Sequence, residues 1–526
     1  MAETVQQLLR ERADGDGADR IGLKYGDRTW TWREHLAEAA DHASAVIALA
    51  DPARPLHVGV LLGNTPDMLR AMAGAALGGY VLVGLNPTRR DRALLADIHR
   101  ADCQLVLVDA EHAALVDGLD LGPVRVVDVD ALEPAGPLVP HAEVGAMDTM
   151  MMIFTSGTSG EPKAVQVPHI FPIFSGANLV DRFSITAEDV CYVSMPLFHS
   201  NAVVAGWAVA ASSGAAIVPA RFSASRFLED VRSHGATYMN YVGKPLAHVL
   251  ATPERPDDAD NPLRVAFGNE ASDRDIEEFA RRFGCQVTDG FGSTESAVIV
   301  TRPPGTPRGS IGQGMEGVAI YDAATVTECD VAEFDAAGRL TNADRAVGQL
   351  VNTQGAGMFQ GYYNDQAANE ERMAHGMYWS GDLAYRDSDG WIYLAGRTAD
   401  WMRVDGENLA AAPIERILQR LPAVAVVAVY AVPDRLDDNA VGDQVMATIV
   451  LQDDATLTPA ELTGFLGSQP DLPTKGWPRY VRVAPTLPMT ATNKVLKREL
   501  IAQGATAGDG VLWVREERGT AYSVSG

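Results

Sequence analysis

Lysine is scarce in this 526-residue chain: six are present, at positions 24, 163, 244, 475, 494 and 497, against 37 arginines. An arginine and alanine bias is what a GC-rich genome produces, so most arginines here carry no message. Lysine is the less ordinary choice, and Lys163 and Lys494 stand out by their surroundings. Positive charge as a whole is also short, since 43 Lys+Arg against 69 Asp+Glu leave a net charge of −26. No basic run appears anywhere in the sequence. That excludes a general nucleic-acid binder, which needs clustered cations to track a phosphate backbone. A small polyanion would have to be held locally rather than by the field of the whole protein.

Cysteine is equally sparse. The four, at 103, 191, 285 and 329, form no CxxC pair or Cys/His cluster, which excludes a zinc motif and fits a reducing, cytoplasmic setting. Uninterrupted apolar runs long enough to span a membrane are missing too. The most apolar stretch, AVVAGWAVAASSGAAIVPA at 202–220, is broken by Gly206, Ser212, Ser213, Gly214 and Pro219. It predicts a buried helix–turn–strand rather than a membrane span, and leaves room only for peripheral membrane contact. The N-terminus, MAETVQQLLRERADGDGADR, is too charged for a signal peptide, and the C-terminal AYSVSG carries no sorting or prenylation signal.

What is present is the composition of a globular protein, 47% hydrophobic and 21% charged, and long enough for more than one domain. Residues 30–50 and 66–79 read as amphipathic helices, with short buried strands at 56–63 and 80–86 and a helix–strand unit at 92–109. The alternation continues through 188–193, 203–218, 225–242 and 263–291, which argues for parallel sheets with helical cover. Around 390–412 the texture changes, and the remainder reads as a helix at 413–420, strands at 424–432 and 445–451, a helix at 459–467 and a strand at 480–483. The expected architecture is α/β: a large N-terminal domain of stacked mixed and parallel sheets (1–398), a hinge near 397–400, and a small mobile α+β lid (399–526).

The apolar run 147–154 ends abruptly in Thr155-Ser156-Gly157-Thr158-Ser159-Gly160-Glu161-Pro162-Lys163. Hydroxyls, glycines that free the backbone N–H groups, and one lysine make a phosphate cradle. It is not a Walker A loop, because Lys163 does not follow Gly160 directly and the sequence after it reads as strand. Composition alone leaves an ordinary hydrophilic hairpin loop open. Further along lie Gly290-Phe291-Gly292-Ser293-Thr294-Glu295, Trp379-Ser380-Gly381-Asp382, Gly396-Arg397-Thr398-Ala399-Asp400 with Gly406-Glu407-Asn408, and Pro488-Met489-Thr490-Ala491-Thr492-Asn493-Lys494. Each alone is compatible with a turn or a surface residue.

Taken in order, these five segments resemble the signatures of the adenylate-forming superfamily, which includes acyl-CoA synthetases, nonribosomal adenylation domains and luciferase. The resemblance implies ATP, Mg²⁺ and coenzyme A as cofactors and substrates, beside a carboxylic acid. It gives the loop Thr155–Lys163 to the phosphates, with Thr155 among the catalytic group. It stacks Phe291 on adenine, sets Thr294 on phosphate and Glu295 on Mg²⁺, and puts Gly290, Gly292 and Ser293 in the same nucleotide site. Asp382 would take the ribose hydroxyls and Arg397 the ribose or phosphate. Lys494 would reach the carboxylate and the α-phosphate, and Gly406 the pantetheine channel. Two departures matter: Ala399 stands where many members carry a charged hinge residue, and Asn493 replaces the glycine before the lysine.

Phe222-Ser223-Ala224-Ser225, Tyr241-Val242-Gly243, Thr252-Pro253, Ala266-Phe267-Gly268-Asn269 and Arg403-Val404-Asp405-Gly406-Glu407-Asn408-Leu409 narrow the resemblance to the very-long-chain acyl-CoA synthetase and fatty-acid transport protein group, in a bacterial, actinobacterial-like member. By it, Gly268 and Asn269 join the nucleotide site. Tyr241, Val242 and Gly243 would face the acyl group, with Phe198 and His199 at its gate. Lys244-Pro245 departs from the group, which usually has Glu there. The implied reaction is ATP-dependent ligation of a fatty acid, or another lipophilic acid such as a steroid side-chain acid, to CoA. The alternatives are an enzyme loading a separate acyl carrier protein and a non-catalytic lipid-binding homologue. Oligomeric state is not legible.

Overall fold

A computed structural model describes the chain apart from residues 1, 156–161, 304, 337, 339, 398–400, 405–406, 434–442, 473, 491–494, 517–518 and 526, and the side chains of 401, 403–404 and 407–408. The described chain forms two compact units. The first holds Met1–Ala271, Asp275–Ala297 and Ala356–Glu371; the second holds Ser272–Arg274, Val298–Gly355 and Arg372–Gly526.

The first unit is built on two sheets. In the seven-stranded sheet the order is Gln286–Asp289, Val265–Asn269, Tyr238–Val242, Val190–Val193, Ala216–Pro219, Ile21–Tyr25 and Arg28–Thr31, all parallel except the last. In the six-stranded sheet it is Arg125–Asp128, Leu105–Val108, His57–Leu61, Val81–Gly84, Thr149–Thr155 and Lys163–Pro168, again parallel but for the last. Parallel strands covered on both faces need continuous apolar sequence, and Leu105–Val108 and His57–Leu61 are buried at every position. The helix Trp32–Ala48 starts at a capping box between Thr31 and Glu34, and Pro66–Gly78 stops at Gly79, whose φ of +67° is left-handed. These helices pack on each other and on the sheets through Leu36, Ala39, Ala43, Leu69, Met72 and Ala76.

The apolar stretch at 202–220 is the helix–turn–strand its composition implies. Ser200–Ala202 continues through a π-helical turn, Val203–Trp207, into Ala208–Ser213; Gly214 turns the chain at φ +80°, and Ala216–Pro219 joins the sheet. A Cβ on Gly206 would stand 3.0 Å from Val193 and 3.1 Å from the Asn240 side chain, which is why glycine sits mid-helix against the strand. Among the described residues no helix is long and apolar enough to cross a membrane.

The second unit carries elements that the sequence did not signal. An antiparallel sheet runs Thr327–Glu328, Val318–Asp322, Gly348–Asn352, Tyr378–Arg386 and Ile392–Arg397. Its strands are short or bulged and only partly buried, so neither alternation nor a continuous apolar run marks them. A second five-stranded sheet is Val424–Pro433, Asp443–Leu451, Tyr480–Val483, Val511–Arg515 and Tyr522–Val524, covered by Ala411–Leu418, Pro459–Gly467 and Lys497–Gln503. The first three strands and two of these helices lie within a few residues of their expected positions. The last two strands and the helix Lys497–Gln503 were not expected.

Candidate active site

Strand Thr149–Thr155 turns back antiparallel as Lys163–Pro168, so that Thr155 and Lys163, the ends of the hydroxyl-rich loop, are register partners. Ser156, Gly157, Thr158, Ser159 and Gly160 lie outside the described residues. Lys163 does not point at open solvent. It is buried, its ammonium lies 5.1 Å from the centre of the Tyr362 ring, and the exposed carboxylate of Glu371 is 3.8 Å away. A cation over an aromatic face is held electrostatically by the ring quadrupole without being neutralised.

Tyr362 was not among the expected site residues. Its segment pairs with the strand after the loop: Val165 bridges Tyr362, Gln166 N–H donates to Gly361 O at 3.1 Å, and Tyr363 N–H donates to Ala164 O at 2.8 Å. The Tyr362 hydroxyl donates to the Glu295 carboxylate at 2.9 Å. One tyrosine therefore touches both the loop lysine and the expected metal-binding carboxylate, which are 132 residues apart in sequence. An isolated tyrosine outside every motif gives no sequence signal for such a role.

Several of the residues expected at the nucleotide site gather at the C-terminal ends of the parallel strands, where open α/β sheets bind ligands. The Asn240 side chain donates to Asn201 at 2.7 Å, Asn201 to Asn269 at 3.0 Å, and Asn269 to the carbonyl of Gly290 at 2.7 Å. This relay fixes the loop that begins at Gly290. The hydroxyls of Ser200 and Thr294 lie 2.9 Å apart. Ser296, at φ +55°, closes a turn on Ser293 O. A Cβ on the exposed Gly292 would meet nothing within 4 Å, so the backbone between Phe291 and Ser293 faces open space. Gly268 is the opposite case: a Cβ there would lie 2.2 Å from the carbonyl oxygen of Tyr241. Tyr241 itself is fully buried in the apolar cluster of Phe227, Phe279 and Phe283, with its hydroxyl on the Asp289 carboxylate at 3.1 Å. Val242 packs on the other cluster, and Gly243, at φ +64°, donates its N–H to Asn269 O at 2.7 Å. The rings of Phe198 and His199 lie 4.4 Å apart, with Phe198 buried.

In the second unit the expected ribose ligand and its basic neighbour meet. Asp382 and Arg397 are register partners on adjacent strands, and the guanidinium lies 3.1 Å from the carboxylate. Gly381, at φ +77°, lies in the bulge of that strand, and the Asp382 N–H donates to Ser380 Oγ at 3.0 Å. Gly406 and Lys494 lie outside the described residues.

Residues 9–363 match the family of AMP-binding enzymes, and residues 413–494 match the C-terminal domain of AMP-binding enzymes. The chain belongs to this family. The AMP-binding enzyme is 50% identical over 523 residues to the medium/long-chain-fatty-acid–CoA ligase FadD17 of Mycobacterium marinum, an alignment covering 98% of this chain and 99% of the relative. It is 44% identical to the steroid-22-oyl-CoA synthetase of Rhodococcus jostii, over 97% of this chain and 93% of that one. Among solved structures it resembles o-succinylbenzoate CoA synthetase from Bacillus subtilis in complex with its acyl-adenylate intermediate, at 26% identity and a TM-score of 0.77, covering 94% of this chain and 97% of that one.

Among its described residues this AMP-binding enzyme has no group of three or more His, Cys, Asp or Glu that could hold a metal. A lone carboxylate beside hydroxyls suits Mg²⁺, a hard cation that keeps few protein ligands and takes the rest from substrate phosphates and water. The residues present therefore fit the ion.

The departure at Lys244 has its own physics. Its amine is buried and has no hydrogen-bond partner. Burial pushes its pKa down to about 8, with Asp275 pulling weakly the other way. The unfolded chain keeps its proton up to the usual lysine range near 10.5, so the folded state is penalised below about pH 8, and the penalty fades as pH rises toward 10.5. Lys244→Met is expected to raise the melting temperature at pH 7 and to raise it less at pH 10. Equal shifts at the two pH values would show that the amine is not desolvated.

Proposed function

We propose that the protein ligates a medium- or long-chain fatty acid to coenzyme A. The class of reaction is ATP-dependent acid–thiol ligation: the acid's carboxylate displaces pyrophosphate from ATP to give an acyl-adenylate, and the CoA thiol then displaces AMP. Activation is needed because a free carboxylate would have to expel oxide, whereas the mixed anhydride expels AMP. The observation that carries the substrate class is the 50% identity, over nearly the whole chain, to a medium/long-chain-fatty-acid–CoA ligase.

The first step brings two anions together in a protein of net charge −26, so local cations must offset the repulsion. Lys163 and the loop from Thr155 hold the departing pyrophosphate. Mg²⁺, bound through Glu295, would supply charge neutralisation to the phosphate oxygens. Thr294 positions a phosphate oxygen, Phe291 carries adenine, and Gly268, Asn269, Gly290, Gly292 and Ser293 shape its slot. Asp382 accepts from the ribose hydroxyls, and Arg397 serves the ribose or phosphate. Phe198, His199, Val242 and Gly243 border the acyl group, with Tyr241 supporting them from the core. The part after the hinge near 397–400 presents Lys494 for adenylation and Gly406 for thioester formation, as lids complete one constellation at a time. All four cysteines are free, in keeping with the cytoplasm.

The test is a panel of octanoate, laurate, palmitate, a steroid side-chain acid and benzoate, scored by AMP release and by mass of the CoA ester. The expected result is the highest kcat/KM on laurate or palmitate. A preference for the steroid acid would instead favour the second reading, which the 44% identity to a steroid-22-oyl-CoA synthetase supports. AMP release with acyl transfer to a carrier protein but not to CoA would overturn both.

A further inference from the structure

We infer that Tyr362 is a positioning residue that sets the affinity of the site for its divalent cation. It does so by holding the Glu295 carboxylate in one orientation and by keeping the Lys163 ammonium off that carboxylate. The inference rests on the assignment of Mg²⁺ to Glu295.

The tyrosine is placed with little freedom. It is 2% exposed. The Asn369 side chain clamps its backbone on both sides, accepting from Tyr362 N–H at 2.6 Å and donating to Tyr362 O at 2.9 Å. Phe359 packs edge-on against the ring at 5.0 Å. The strand after the phosphate loop holds the same segment through the pairing of Val165 with Tyr362. The hydroxyl therefore reaches Glu295 from a fixed platform, with its one proton on one carboxylate oxygen, Oε1. An anchored carboxylate binds a hard cation without first losing rotamer freedom. Hydrogen bonds of this kind to metal-binding groups typically control affinity by about 10–100-fold.

The ring has a separate consequence. A buried lysine and a half-buried carboxylate in one site would attract each other, and a closed ion pair would occupy the oxygen the cation needs. Here the ammonium lies over the Tyr362 face, 5.1 Å from its centre, and its carboxylate neighbour is the exposed Glu371 at 3.8 Å rather than Glu295. The same side chain thus separates the two charges and orients one of them.

Tyr362→Phe removes the hydroxyl and keeps the ring. Binding of Mn²⁺, read by its EPR signal in the presence of a non-hydrolysable ATP analogue, should weaken by about 10-fold. Binding of the analogue without metal should be unchanged. Thermal unfolding checks that the variant is folded, and Tyr362→His, which retains a donor on a ring, should recover part of the affinity. Glu295→Gln is run in parallel. If Glu295→Gln weakens Mn²⁺ binding and Tyr362→Phe does not, the inference about Tyr362 is wrong. If neither variant changes Mn²⁺ binding, the assignment of the metal to Glu295 fails and takes the inference with it. Equal weakening of the analogue with and without metal would show a general structural role and would also overturn the inference.

Discussion

Replacing Lys494 by alanine is expected to slow acyl-adenylate formation by on the order of 10²–10³-fold, the usual cost of losing one preorganised charge-stabilising donor. Conversion of preformed acyl-adenylate to the CoA thioester should stay within a few-fold of the wild type. The asymmetry follows from the charges. In the first step a carboxylate approaches a phosphate, and the repulsion must be offset where the two meet. In the second step a thiol attacks an adenylate whose phosphate is already bonded to the acyl group, so no second anion has to be brought against it.

Lys494 lies outside the described residues, but the residues that flank it do not. Met489 and Val495 pair antiparallel, and Leu496 N–H donates to Pro488 O at 2.8 Å. The helix Lys497–Gln503 that follows is pinned at its start by Lys497 on Glu415 at 2.9 Å. Beyond its end, Arg482 donates to Gly504 O at 2.6 Å and to Thr506 O at 2.7 Å. These flanking residues are therefore held on a fixed base within their unit. Separate assays of pyrophosphate exchange and of thioester formation from synthetic adenylate check the split. Loss of both half-reactions together would mean that Lys494 is not confined to adenylation.

Gly268→Ala is expected to destabilise the fold by about 3 kcal/mol, at the upper end of what overpacking a core costs, and to abolish activity with it. The glycine is not needed for its backbone freedom. It is needed because the neighbouring strand passes too close: a Cβ would stand 2.2 Å from Tyr241 O and 2.4 Å from its ring. Tyr241 cannot step aside, since it is fully buried and its hydroxyl is held by Asp289 and by the carbonyl of Thr288. A backbone oxygen has no rotamer to change, so the strain must shift the strand pair Tyr238–Val242 and Val265–Asn269. Urea denaturation gives the comparison. An alanine variant with wild-type stability would show that the two strands separate easily.

The sequence by itself determined the family and most of the first unit. The loop Thr155–Lys163, the Gly290–Glu295 segment, Asp382, Arg397 and Lys494 carry the resemblance to the family because they lie in tight local patterns, and local patterns survive in a linear string. Buried parallel strands such as Leu105–Val108 are legible for the same reason, since burial on both faces demands a continuous apolar run. The antiparallel sheet of the second unit was not legible, because its short or bulged strands leave no period to read. Only the tertiary structure decided which distant residues serve the motifs. Asn201, Asn240 and Ser200 reach the expected site residues Asn269 and Thr294 because strand order sets Tyr238–Val242 beside Val265–Asn269. Asp382 meets Arg397 because two strands pair in one register. Tyr362 reaches Lys163 on one side and Glu295 on the other because a bridge to Val165 carries it there. Contacts of that kind depend on where the backbone brings side chains together, which residue type and spacing do not encode.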